Sequence, residues 1–132
     1  MPTDLLDALR RVKTVYLTTW SASGKAGAVP IWFFQHDGRI YLCSQRDALK
    51  VRRIRRSGRA ALHLTRSGPQ LPCAARLVER DPGLQQRLLQ TYRRRYRFRW
   101  LFLGPRIKRA FERDEEVVIE LTPDAELASV PS

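Results

Sequence analysis

The chain has 132 residues, 43% of them hydrophobic, enough for one buried core and too short for two ordinary domains, so residues 1–132 read as a single domain. Its net charge of +12 comes from 25 basic and 13 acidic residues, and since no basic residue lies beyond Arg113, residues 1–113 carry +18 and attract polyanions. No apolar run approaches the ~18 residues of a membrane span, Asp4 and Asp7 do not suit a secretory leader, and Cys43 and Cys73 form no paired motif; the composition excludes a membrane protein, a disulfide framework and a cysteine zinc site, and predicts a cytoplasmic protein.

In chain order, Leu5, Leu6, Leu9 and Val12 fall at helical spacing behind Thr3, a possible cap, and predict a short amphipathic helix over about 4–12. Thr14 to Trp20 alternates as a strand. Ser21 to Gly27 supplies turn-prone residues, Ala28 to Gln35 resumes an extended pattern, and His36-Asp37-Gly38 turns into a third strand, Arg39 to Ser44. These three predict an antiparallel meander. Pro30 inside the second run predicts a bulge or an interrupted pairing that leaves backbone groups free to meet a ring.

The next segment, Ala48 to Ser57, reads as a helix with Asp47 as its cap, Ala48, Val51 and Ile54 as its inner face, and Gly58 as its stop. Lys50 sits in its first turn and Arg52, Arg53, Arg55 and Arg56 follow. A helix start offers free backbone N–H groups and the positive end of the macrodipole, so this arrangement suits a phosphate-bearing ligand.

Further along, Ala60 to Arg66 and Cys73 to Arg80 read as strands around a loop at Ser67 to Pro72. Asp81-Pro82 begins a helix with a cap followed by proline, and Leu84, Leu88, Tyr92 and Tyr96 repeat along one packing face. Gly104-Pro105 is expected to interrupt the helical region before a last turn or two at Ile107 to Phe111. Val117 to Leu121 closes as a strand before a loose tail from about 124. The whole predicts a mainly β domain with flanking helices, either a small α+β fold or a barrel.

With only His36 and His63, and no Ser/His/Asp arrangement, chemistry would have to be borrowed from a cofactor. A competing reading is nucleic-acid binding, because Tyr92 to Trp100 interleaves aromatics with arginines. Helical spacing sends Tyr92 and Tyr96 to one side, where packing accounts for them, and no nucleic-acid motif accompanies the run.

Leu17-Thr18-Thr19-Trp20, Val29-Pro30-Ile31-Trp32-Phe33, Ile40-Tyr41-Leu42-Cys43-Ser44, Lys50-Val51-Arg52-Arg53-Ile54 and Val117 to Pro123 occur in an order that resembles the pyridoxamine 5'-phosphate oxidase-like split β-barrel superfamily, nearest its short flavin- and deazaflavin-dependent reductases. The resemblance spans roughly residues 5–123. It implies an antiparallel, Greek-key-like split β-barrel, a homodimer with the cofactor between subunits, and hydride transfer to a small conjugated or quinone-like substrate. The positions matching the family's cofactor contacts are Val29, Pro30, Ile31 and Trp32 along one strand, Cys43 and Ser44 at the end of another, Lys50 on the phosphate, and Arg53 or Arg56 beside it. The phrasing resembles most the branch that uses the deazaflavin coenzyme F-420, with FMN as the alternative; the carboxylate tail of F-420 would give Arg52, Arg55, Arg56 and the Arg93 to Arg95 cluster an anionic partner. Relatives place small or basic residues before the lysine, whereas Ala48-Leu49 stands here. A split barrel that has kept its shape and lost its cofactor is the third reading.

Overall fold

The computed structural model describes residues 7–124. Seven strands form one antiparallel sheet: β1 (Thr14–Trp20), β2 (Ala26–Trp32), β3 (Phe34–His36), β4 (Arg39–Gln45), β5 (Arg59–His63), β6 (Leu71–Val78) and β7 (Glu116–Pro123). Helix α1 (Leu49–Ser57) follows β4, and α2 (Pro82–Arg95) and α3 (Arg97–Glu112) lie between β6 and β7. Of the N-terminal helix expected over about 4–12, residues 7–9 are helical, Arg10 and Arg11 form a turn and Val12 is already non-helical, so it ends earlier than its spacing predicts; residues 4–6 lie outside the described residues, as does the tail beyond Asp124.

The strand order is β2-β1-β5-β6-β7-β4-β3. Strands β2 and β3 stand at opposite edges yet are separated in sequence by Phe33 alone, so the sheet curls into a half-barrel whose two edges are tied by one residue. This corrects the expected meander. Residues 28–35 do not form one strand, because the Phe33 side chain is fully buried and its N–H is taken by the Tyr96 hydroxyl at 3.2 Å rather than by a strand partner. Strand β4 therefore pairs with β3 and β7, not with β2.

No bulge occurs at Pro30 either: the β1–β2 register runs unbroken from Thr14↔Trp32 to Trp20↔Ala26, with Pro30 opposite Tyr16. Because β2 is an edge strand, proline removes no ladder bond on its outer side, and the open edge itself supplies the unpaired backbone that the bulge was expected to give.

Alternation along the strands separates two cores. Inside the curl, Leu17, Phe33, Leu42, Leu62, Ile119 and Leu121 pack with Val51 and Ile54 of α1. On the outer face, Phe34, Tyr41, Leu88, Tyr92, Tyr96 and Val118 join the sheet to α2 and α3. The stripe on α2 is thus packing, as its spacing predicts, and Asp81 caps that helix through a bond from the Leu84 N–H at 3.1 Å.

Two local expectations change. The N-cap of α1 is Ala48, not Asp47, and no side chain bonds its first-turn amides; the helix begins one residue too late for the Asp47 carboxylate to reach them. Gly58 does end α1, in the left-handed conformation with φ 67°, its N–H donating to the Ile54 carbonyl. Gly104-Pro105 does not break the chain, since α3 runs through it. Gly104 lets the Trp100 indole pack flat on the helix where a Cβ would overlap it, while Pro105 lies on the exposed side, where the Leu101 carbonyl it leaves without an amide partner can meet solvent. Packing of Trp100, Ile107 and Phe111 against the outer core holds the helix together across the proline.

Candidate functional site

A groove of about 450 Å³ lies where the edge strand β2, the end of β4, the start of α1 and the flank of α3 meet. Pro30, Ile31 and Trp32 form one wall, Cys43 and Ser44 another, and Lys50 stands at the helix start. Six of the nine sequence-predicted cofactor contacts are therefore brought together by strands that are distant in sequence. Alternation puts the Cys43 side chain on the outer face beside Tyr92, whereas Ser44, buried and bonded to the Gln45 carbonyl at 3.3 Å, points to the inner face.

Val29, Arg53 and Arg56 are not in the lining. Val29 is exposed on β2. Arg53 and Arg56 extend along α1 toward the end of β1, where Arg53 Nη1 donates to the Thr19 carbonyl at 3.3 Å and Arg56 Nη2 to the Trp20 carbonyl at 2.7 Å. Gly27 gives Arg53 its space, since a Cβ there would stand 2.8 Å from Nη1. Arg53 Nε is buried without a hydrogen-bond partner among the described residues.

Sequence reasoning did not single out Tyr92, Glu116 or the α3 residues Leu103, Arg106, Ile107 and Ala110 as groove residues. Tyr92 donates its hydroxyl hydrogen to the Trp32 carbonyl at 2.9 Å, and the two rings meet edge to face at 5.6 Å, which fixes the β2 wall against α2. Trp32 is also stacked on Tyr96, with centroids 4.2 Å apart and planes 4° from parallel. Burial raises the Glu116 carboxyl above its usual value; hydrogen bonding to the Cys43 thiol and the Lys50 charge act the other way. Burial also pushes the Cys43 thiol well up, and the Glu116 charge adds to it. The signal for Glu116 was a carboxylate opening an otherwise apolar strand. Its position opposite Gln45, two residues from Cys43, needed the β4–β7 register.

These donors fit a ring cofactor carrying a phosphate. The start of α1 has no side-chain cap, no acid in its first turn and Lys50 beside it. The open β2 edge and the Trp32 side chain offer backbone groups and an aromatic wall for the ring.

The Arg93–Arg99 run lies elsewhere. Tyr92 and Tyr96 are buried, so they present no stacking face, while Arg94, Arg95, Arg97 and Arg99 line a separate cleft of about 600 Å³ with Lys13 and Phe98. No helix among the described residues is long and apolar enough to cross a membrane.

The half-barrel resembles several solved structures, at identities that show the fold alone. A Listeria innocua protein named for pyridoxamine 5'-phosphate oxidase matches at a TM-score of 0.65 and 18% identity, covering 92% of each chain. HutZ, a heme storage protein of Vibrio cholerae, matches at 0.66 and 17%, covering 92% of this chain and 88% of that one. A FAD-binding protein from Mesorhizobium loti matches at 0.61 and 14%, over 93% and 87%. No curated protein sequence matches the chain. The family model for pyridoxamine 5'-phosphate oxidase matches residues 1–128, nearly the whole chain: this protein belongs to the pyridoxamine 5'-phosphate oxidase family.

Proposed function

We propose that the protein is an oxidoreductase that binds F-420, or alternatively FMN, in the groove between β2, β4 and α1. The observation that carries this reading is the convergence of Pro30, Ile31, Trp32, Cys43, Ser44 and Lys50 on one groove at an uncapped helix start. Bound there, the flavin or deazaflavin supplies hydride transfer to a small conjugated or quinone-like substrate. The chain's own residues bind and orient. Lys50 and the first amides of α1 hold the phosphate, and Arg53 and Arg56 would have to leave the Thr19 and Trp20 carbonyls to join them; the β2 backbone and Trp32 flank the ring; Tyr92 keeps that wall in place.

Arg106 adds a cation to the groove, and Arg52 and Arg55 lie exposed on α1. That surplus favours the polycarboxylate tail of F-420 over the single phosphate of FMN. Val29, 39% exposed, and Leu49, 59% exposed, border groove residues on both sides and support a homodimer that closes over this face.

The test is a spectroscopic titration of the purified chain with each coenzyme, repeated with Lys50→Ala. Losing a charge-assisted bond to the phosphate is expected to weaken binding by ~1.5–3 kcal/mol, roughly ten- to a hundredfold. Binding of neither coenzyme would remove the proposal, and unchanged affinity in the variant would remove the lysine's role.

A further inference from the structure

The excursion between β6 and β7 carries a feature the groove does not use. From Pro82 to Phe111 the sequence holds nine arginines and lysines and no acid. On α3, Phe98, Leu101 and Phe102 are 84%, 71% and 79% exposed, although large apolar side chains normally seek cover. The periodicity of a helix places these three on one stripe, opposite the face on which Trp100, Ile107 and Phe111 meet the outer core. The same periodicity sets exposed Arg97 and Lys108 along one side of the stripe and exposed Arg99 and Arg106 along the other.

An apolar ridge with cations on both flanks matches one environment closely: aromatic and leucine side chains enter the acyl boundary while long basic side chains reach back to phosphates. A second observation agrees. At the α2–α3 junction, next to Phe98, the cleft of about 600 Å³ is lined by Lys13, Arg94, Arg95, Arg97 and Arg99, a place for lipid headgroups. We propose that α3 docks the protein on the surface of an anionic phospholipid bilayer, lying in the interface without crossing it. The expectation of no membrane partner rested on the lack of a span, and a surface contact needs none.

The other occupants fit less well. Two copies meeting through this stripe would bring their flanking cations together with no acid on α3 before Glu112 to offset them. Nucleic acid would find phosphate-binding charges and two phenyl faces, but Leu101 shares the ridge and Tyr92 and Tyr96 are buried, so no continuous run of stacking faces is offered. Arg106 belongs both to the groove wall and to the border of the stripe, so docking holds that wall near the lipid surface. The inference does not depend on which cofactor the groove takes.

The test is co-sedimentation of the full chain with vesicles of equal parts phosphatidylglycerol and phosphatidylcholine, and with phosphatidylcholine alone. Binding is expected to the anionic vesicles only, to fall as salt rises, and to weaken at least about tenfold in Phe98→Ser/Phe102→Ser. Both positions are exposed, so the variant is expected to keep the parent's melting temperature, and cofactor titration reports the groove separately. Three results would overturn the proposal: no binding to anionic vesicles, binding that the double variant leaves intact, or a double variant that turns a dimer into a monomer. Retention on duplex DNA abolished by the same variant would assign the ridge to nucleic acid instead.

Discussion

Tyr96→Phe is the sharpest test of how the half-barrel is closed. The Tyr96 hydroxyl accepts from the Phe33 N–H at 3.2 Å and donates to the Lys13 carbonyl, so it ties the residue joining the two sheet edges to the segment entering β1. Phe33 is fully buried and Tyr96 is 6% exposed, which leaves little room for water to replace the oxygen. Removing it strands the buried Phe33 N–H at a cost of ~1–3 kcal/mol, while the carbonyl of exposed Lys13 can turn to solvent and the stack on Trp32 remains. We expect a loss of about 1–3 kcal/mol, or roughly 4–11 °C in melting temperature for a chain of this size. Chemical and thermal denaturation followed by circular dichroism measure it. Tyr92→Phe is a parallel test of the β2 wall, since its hydroxyl donates to the Trp32 carbonyl at 2.9 Å and is also hydrogen-bonded to the Cys43 backbone, and it is expected to cost about 1–3 kcal/mol. A Tyr96→Phe variant within about 0.5 kcal/mol of the parent would refute the assigned role, because the crossing would then be held by packing alone.

Two further outcomes follow from the titrating groups. Burial and Asp124 push the Cys73 thiol up to about 12, against the opposing charge of Arg59, and burial with Glu116 holds Cys43 well above the ordinary thiol range. Neither is expected to react quickly with a disulfide reagent near pH 8 in the native state, and both should react in denaturant; one fast native thiol would contradict the packing described for its strand. Burial alone would raise Glu120, but two bonds from Arg76 at 3.1 Å each, the Tyr41 hydroxyl and the Arg39 charge outweigh it and hold it below the usual carboxylate value. A depressed folded value means stability that is complete above the unfolded value near 4.5 and lost as pH falls through the folded one, so Glu120→Gln should flatten acid unfolding there. Glu116 has the opposite sign: its contribution is present below the unfolded value and lost as pH rises through the raised one, so Glu116→Gln should keep or gain stability at neutral pH. Parallel pH profiles for parent and variants would reject both assignments.

Elements whose signal is local could be read from the residues alone. Alternation marked β1, the His36-Asp37-Gly38 turn marked the start of β4, Asp81-Pro82 and Gly58 marked a helix start and a helix stop, and the four-residue repeat from Leu84 to Tyr96 named a packing face, because caps, turns and periodicity act within a few residues. Lys50 at a helix start was legible for the same reason. The order of the motifs further pointed to the family, and with it to the groove residues of β2 and β4.

Other features depend on how strands and helices assemble. Nothing local in residues 28–35 says that the chain must leave one sheet edge at Trp32 and join the other at Phe34; that turn is enforced by Phe33 entering the core and by a hydroxyl 63 residues away. Continuation of α3 through Pro105 likewise depends on the core it packs against, which outweighs a local helix breaker. Glu116 enters the groove through strand register, and Phe98, Leu101 and Phe102 are left bare because the opposite face of the same helix is already occupied. Burial is a property of the assembled molecule, and no residue carries it alone.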